Sequence, residues 1–220
     1  MIEPTPAGRR AFVAAHTRLQ RPPHTPELEL HLADEITPVW RMTEEALEEI
    51  GLPPPFWAFA WAGGQALARY LLDHPQIVAG KQAVDFAAGS GIVAIATLKA
   101  GARRVLAADI DLFCEAAVGL NAQRNGVSVD FTADNLLDLP PPAWADVILA
   151  GDICYEKPLA ERVLAWLGEA RAAGATVLIG DPGRSYFPRQ GLEKLAEYQV
   201  PTSRELEDME VKKTCVWRMP

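Results

Sequence analysis

Asp85-Phe86-Ala87-Ala88-Gly89-Ser90-Gly91 closes one apolar run and opens another, and the reading of this turn decides the fold. Ala83 to Ala87 is a short apolar strand and Gly91 to Ala100 a helix. Small residues at Ala87, Gly89 and Gly91 let the backbone turn sharply between the two and let a ligand approach the chain closely. Downstream the alternation repeats: strand Val105 to Ala108, helix Leu112 to Arg124, strand Val127 to Thr132, strand Val147 to Ala150, helix Pro158 to Ala172, strand Thr176 to Ile179 and helix Gly191 to Glu197. Strands spaced by helical runs with short Gly or Asp turns imply a doubly wound α/β sheet, mostly parallel, with helices on both faces. Tyr198 to Val200 and Thr214 to Met219 break the pattern as two strands without a full helix between them, which predicts a terminal antiparallel hairpin.

Upstream, Pro53-Pro54-Pro55 is a stiff connector that cannot continue a helix. It delivers the aromatic residues Phe56, Trp57, Phe59 and Trp61, of which most are expected in the core, and then Gly63-Gly64 and an apolar helix to about Leu72. Residues 1–52 read as an extension ahead of a domain over 53–220. Leu28, Leu30 and Leu32 alternate with Glu29 and His31, the period of a half-buried strand. Thr43 to Ile50 reads as a short helix with Thr43 as N-cap and Gly51 just past its end. Arg9, Arg10, Arg18 and Arg21, opposed only by Glu3, have the bias of a transit peptide, but Phe12 and Val13 supply the apolar face of an ordinary first helix that Pro22-Pro23 would end.

The chain has 220 residues, 49% of them hydrophobic, enough for a substantial core. Its 21 Lys and Arg against 29 Asp and Glu give a net charge of −8, which disfavours a nucleic-acid partner. No stretch approaches the roughly 18 to 20 apolar residues of a membrane span. Cys114, Cys154 and Cys215 are odd in number and lack CxxC spacing, arguing against a disulfide framework or a structural zinc site and for a reducing compartment. A cytoplasmic location is expected, or the mitochondrial matrix if the source is eukaryotic. A monomer without metal is expected as well.

In open α/β sheets ligands bind beyond the carboxyl ends of the strands. A dinucleotide fingerprint would run GxGxxG, but here its first and third glycines fall on Ala87 and Ile92. A tight turn without a ligand would be an equal reading if nothing else were present. Asp109, about twenty residues beyond Gly89, ends the next strand, where a carboxylate accepts hydrogen bonds from both ribose hydroxyls of a nucleoside. Asp111 is better explained as the N-cap of the following helix. Asp134-Asn135 ends the third strand and can read an adenine edge. Each acid alone is more often a turn residue; successive strand ends after a glycine turn favour a nucleoside site.

The run Pro55 to Gly64 (PFWAFAWAGG), the turn Asp85 to Gly91, Ala108-Asp109-Ile110-Asp111, the Asn121/Asn125 pair and Gly151-Asp152-Ile153-Cys154-Tyr155 together resemble the electron transfer flavoprotein beta-subunit lysine methyltransferases, among the seven-stranded S-adenosylmethionine-dependent methyltransferases. The resemblance spans about Glu48 to the C-terminus. It implies a Rossmann-like seven-stranded sheet ending in an antiparallel hairpin, S-adenosyl-L-methionine as cofactor and a protein lysine as acceptor, with the electron transfer flavoprotein beta subunit favoured. It carries cofactor contacts to Asp85, Ala87, Gly89 and Gly91 on the turn, and to Asp109 and Ile110 on the next strand end. Asp134, Asn135 and Ala150 follow, and Trp61 is placed beside the cofactor's methionine end.

Gly151 to Glu156 matches the family's Asp-x-x-Tyr motif, which implies Asp152 and Tyr155 as catalytic residues. Methyl transfer needs a neutral amine aligned in line with the methyl carbon, whereas a free lysine has a pKa near 10.4. Asp152 can orient the incoming ammonium and then the amine, though a carboxylate with a pKa near 4 is a poor proton acceptor. Tyr155 can wall the lysine channel. Cys154 has no histidine near it in sequence and reads as packing. The Asn121/Asn125 pair reads as structural, one amide tying helix to loop. Asp181-Pro182-Gly183-Arg184 is a turn, and the resemblance sets it beside the substrate. A ribosomal-protein methyltransferase is the nearest rival. A small-molecule methyltransferase, a nicotinamide-dependent oxidoreductase and an inactive binding module rank behind.

Overall fold

The computed structural model describes residues 5–33, 54–188, 190–202 and 209–220, so the expected helix over Thr43 to Ile50 lies outside the described residues. The elements are α1 (Pro6–Ala15), β1 (Arg18–Gln20), β2 (Leu30–Leu32), α2 (Ala62–Asp73), β3 (Gln82–Phe86), α3 (Ile92–Lys99), β4 (Arg104–Ala108), α4 (Leu112–Arg124), β5 (Asp130–Thr132), β6 (Val147–Gly151), α5 (Lys157–Ala172), β7 (Thr176–Asp181), β8 (Glu193–Pro201) and β9 (Val211–Arg218). Seven strands form one sheet in the order β5-β4-β3-β6-β7-β9-β8. Pairing is parallel from β5 through β7, and β9 runs antiparallel to both β7 and β8. The order reverses between β3 and β6, the switch point where such sheets leave a crevice.

Alternation along the central strands divides the core. Val147 and Leu149 of β6 face one cluster with α2, α3 and α4, while Ile148 and Ala150 face the other with Val163, Trp166 and Leu167 of α5. Among the described residues the first face carries three helices and the second only α5, because the link from β5 to β6 holds a single 3₁₀ turn, Leu136–Asp138, and the expected helix Gly191 to Glu197 is absent. Glu193-Lys194-Leu195-Ala196-Glu197 consists of good helix formers, yet it belongs to β8. It pairs with β9 from Glu193↔Arg218 to Pro201↔Val211, with an irregularity between Lys194 and Ala196. That ladder, and the packing of Leu195, Ala196 and Tyr198 against the first cluster, outweigh propensities worth about 0.5 kcal/mol per residue.

The N-terminal helix also differs from expectation. It ends at Ala15 with His16 as C-cap, and β1 precedes Pro22-Pro23. β1 pairs antiparallel with β2. Leu28, Leu30 and Leu32 are buried, as their spacing predicts, and they join the same cluster as α2 and α3. Among the described residues, no helix is long and apolar enough to cross a membrane.

Glycines bring α2 directly onto the sheet. A Cβ on Gly63 would collide with the Gly180 carbonyl oxygen, and one on Gly151 would lie 3.0 Å from Gly64 Cα. The nearest atoms at both positions are backbone, which cannot swing aside as the end of a flexible side chain would. Gly63→Ala is expected to destabilise the fold by about 3 kcal/mol, as overpacking does, and urea denaturation with an unchanged m-value would register it.

Candidate active site

Register sets the rim of the crevice. Phe86 lies opposite Ala108 and Ala150, Ala108 opposite Thr132, and Gly151 opposite Gly180. The residues that follow these positions therefore share one edge of the sheet. The turn after β3 holds Ala87, Gly89 and Gly91 at φ values of 55°, 52° and 78°, so Ala87 adopts a conformation that glycine normally supplies. Ala88 N–H donates to the Ala108 carbonyl at 3.2 Å and Gly89 N–H to Asp109 Oδ2 at 3.0 Å. The partly exposed Asp109 also accepts from Asp111 N–H through Oδ1. Asp111 caps α4 by accepting from Phe113 N–H, as expected.

Asp85 stands behind the turn. Its side chain is buried and Oδ2 accepts from Ala94 N–H at 2.9 Å, so its carboxyl steadies the start of α3 and does not face the crevice. Ile110 is 71% exposed beside Asp109. Asp134 is exposed and accepts from the Thr132 hydroxyl, and Asn135 caps the 3₁₀ turn through Leu137 N–H. Ala150 is wholly buried in the core. Across the turn, a Cβ on Gly89 would lie 3.7 Å from the Phe56 carbonyl oxygen. A half-exposed carboxylate, a glycine edge without side chains and an aromatic flank suit the ribose, chain and base of S-adenosylmethionine.

The aromatic flank divides. Trp57 and Phe59 are buried, but Phe56 is 45% exposed, so it is not core. Its ring lies 5.8 Å from Trp61 and 5.8 Å from Tyr155, and its carbonyl accepts the Trp61 indole N–H at 2.9 Å. Tyr155 is 43% exposed. Burial, then Glu156, then Asp109 raise its pKa, so the phenol stays protonated.

Asp152 adopts φ 57° just past β6. That conformation aims Oδ2 at Gly64 N–H, 2.9 Å away, while Oδ1 accepts from Arg184 Nη2 at 2.8 Å. The helix that Asp152 serves is α2, at the start of which N–H groups lack partners. The alternative of a cap on the following helix is not what forms: Glu156 occupies the N-cap of α5. Arg184 also sits 5.7 Å from the Trp61 ring centroid, within cation–π range. The turn 181–184 thus meets Asp152 directly, a contact invisible in sequence because 32 residues separate the partners.

Asp181 holds that turn. Its Oδ1 accepts from Gly183 N–H and Arg184 N–H, while the buried Oδ2 has no hydrogen-bond partner among the described residues. Burial, reinforced by Asp152, pushes the Asp181 pKa up to about 7. Burial drives Asp85 to about 8 and Asp111 to about 6. Cys154 is fully buried and pushed up to about 12, again mainly by burial, in keeping with a packing role.

Each of these three carboxyls keeps its proton to a higher pH in the folded chain than in the unfolded one, where 3.8 is usual. The folded state therefore binds more protons between those values, and stability falls as pH rises. The urea midpoint is expected to drop from pH 6 to pH 8, and Asp85→Asn should flatten the slope. A midpoint that rises over this interval would contradict the burial assigned to these groups.

A model of the ribosomal protein L11 methyltransferase (PrmA) family matches residues 65–163. The electron transfer flavoprotein beta subunit lysine methyltransferase of Xenopus laevis is 39% identical over 214 residues, covering 94% of this chain and 85% of the relative. The Homo sapiens protein of that name is 37% identical over 199 residues, covering 88% and 74%. Among solved structures, magnesium protoporphyrin IX methyltransferase from Synechocystis PCC 6803 with bound SAM superposes with a TM-score of 0.51 at 14% identity, covering 71% of this chain and 78% of that one, which shows the shared fold. By its likeness to these relatives along most of its length, the chain belongs to the electron transfer flavoprotein beta-subunit lysine methyltransferase family and is an S-adenosylmethionine-dependent methyltransferase.

Proposed function

We propose that this methyltransferase modifies lysine side chains of the electron transfer flavoprotein beta subunit. The observation that carries the site assignment is the meeting of Asp152, Arg184, Trp61, Phe56 and Tyr155 at one mouth beside the Asp109 and Gly89 edge. Bound S-adenosylmethionine supplies an electrophilic methyl group on a positively charged sulfur. Asp109 accepts from ribose hydroxyls, and the turn from Ala87 to Gly91 presents backbone to the ligand. Phe56, Trp61 and Tyr155 line the approach of the lysine, their faces attracting its cationic form and their bulk excluding water. Asp152 orients the amine with an oxygen shared with Arg184, which makes it a positioning acceptor and a weak base. The lysine nitrogen sheds its proton to solvent before it attacks.

The substrate name comes from the relatives; the family model shared with the ribosomal-protein enzymes reaches only residues 65–163. The proposal includes a monomer and a reducing compartment such as the cytoplasm, the latter suiting three free buried cysteines. The charge of −8 supports a protein over a nucleic-acid partner. Purified beta subunit incubated with labelled S-adenosylmethionine and the enzyme is expected to acquire label on lysine, located by mass spectrometry. Label confined to ribosomal proteins in a native proteome would overturn the substrate assignment.

A further inference from the structure

The outer edge of β2 exposes the main-chain groups of alternate residues, and three in succession find partners outside the hairpin. Glu29 is bracketed by Asn125, whose Oδ1 accepts from Glu29 N–H at 3.2 Å and whose Nδ2 donates to the Glu29 carbonyl at 2.8 Å. Two residues on, His31 N–H donates to Asn121 Oδ1 at 2.6 Å. Two further, Ala33 N–H donates to the Ala58 carbonyl at 2.8 Å. Side-chain amides four apart, one on α4 and one at its C-cap, thus stand in for a neighbouring strand, and the edge continues onto the aromatic segment.

Asn121 and Asn125 differ in one respect. Asn121 is completely buried, and its Nδ2 donates to the Ser90 carbonyl at 2.9 Å, in the middle of the glycine turn. Asn125 turns its remaining contact back to the Asn121 carbonyl within α4. The turn is therefore tied at three successive residues: Ala88 by the Ala108 carbonyl, Gly89 by Asp109 and Ser90 by Asn121. Ala87, Gly89 and Gly91 all have positive φ, so this backbone depends on such ties to hold one conformation. The tie at Ser90 runs through α4 to the N-terminal hairpin, because Asn121 holds the Ser90 carbonyl and the His31 N–H at once. At its other end the same strand edge fixes Ala58, two residues from the Phe56 carbonyl that faces Gly89.

We infer that the hairpin β1–β2 is a strut of the cofactor cleft, and that Asn121 is the positioning residue through which it sets the glycine turn for S-adenosylmethionine. This rests on the reading of that turn as the cofactor site. An amide is the side chain the position demands, since it must accept from His31 and donate to Ser90 at once. A carboxylate would keep the first contact and set an oxygen against the Ser90 carbonyl.

Calorimetric titration with S-adenosylhomocysteine, paired with thermal unfolding, tests the inference without turnover. Asn121→Asp is expected to weaken binding at least tenfold at pH 8 and to recover part of it as pH falls and the buried carboxyl regains a proton to donate. Asn125→Ala loses its contacts to Glu29 yet has none to the turn, so it should lower the melting temperature while leaving affinity within twofold. Equal affinity in wild type and Asn121→Asp, or equal losses in both variants, would show that Asn121 only holds the fold together. Hydrogen exchange of the wild-type protein gives a second measurement if Asn121→Asp does not fold. Ligand binding should slow exchange of the Glu29 and His31 amides, and unchanged exchange there overturns the strut. A wild-type protein that fails to bind S-adenosylhomocysteine would instead overturn the reading of the turn itself.

Discussion

Asp152→Asn is expected to lower kcat by about a thousandfold while leaving affinity for S-adenosylhomocysteine within about threefold, the scale of losing a preorganised polar group at a reacting centre. The substitution isolates charge. Asparagine tolerates positive φ better than alanine, so the backbone at φ 57° is kept. Its single carbonyl oxygen can satisfy either Gly64 N–H or Arg184, and the amide nitrogen then faces the other donor. Arg184, whose side chain is only 19% exposed, loses the charge of this ion pair, and weakening a pair held largely out of water is destabilising. The guanidinium should therefore be held less firmly over Trp61, disturbing the mouth where the lysine enters. Single-turnover kinetics with the beta subunit and calorimetry with the demethylated cofactor measure the two quantities separately. Turnover within tenfold of wild type would remove Asp152 from the reaction, and a matching loss of cofactor affinity would move it to the cofactor side.

The strand ends were readable in sequence because each acid or glycine there follows a short apolar run, and parallel register carries such positions to one rim. Asp109 needs no more than that. Asp85 shows the limit of the same reasoning. It lies one residue before the end of β3, and the alternation of a strand turns its carboxyl into the core beneath α3. Asp152 was legible as a motif, but its αL backbone and its ion pair with Arg184 depend on how the turn 181–184 returns over the sheet. Phe56 read as core because aromatic residues in a cluster usually are; nothing local distinguishes it from Trp57, and only the packing of the 3₁₀ turn Phe56–Ala58 turns one inward and leaves the other at the mouth. Tyr198 to Val200 read as a strand of the terminal hairpin, but the first part of β8, Glu193 to Glu197, read as helix for the opposite reason. Its residues favour a helix locally, and the ladder that overrides them is formed with a strand beginning ten residues after β8 ends.

Asp109→Ala should weaken binding of S-adenosylmethionine and S-adenosylhomocysteine alike, by about a hundredfold or more. A carboxylate accepting from two hydroxyls makes charge-assisted bonds worth about 1.5 to 3 kcal/mol each, so even partial replacement by water leaves a loss of that size. The turn contributes further, since Gly89 N–H gives up its acceptor and one of the ties that hold three positive φ angles in place. Asp109→Asn separates the two contributions. Its amide oxygen can still accept from Gly89 N–H, so the turn stays set while the charge facing the ribose is gone. Calorimetry should therefore place the asparagine variant between wild type and alanine. The carboxylate also raises the pKa of buried Asp85, so the alanine variant should lose somewhat less stability between pH 6 and pH 8 than wild type. Alanine and wild type binding S-adenosylhomocysteine equally would show that Asp109 serves only the turn. A selective loss with S-adenosylmethionine and none with the product would point instead to an interaction with the sulfonium charge. Because the ribose is common to both ligands, the contact derived from the end of β4 requires equal losses.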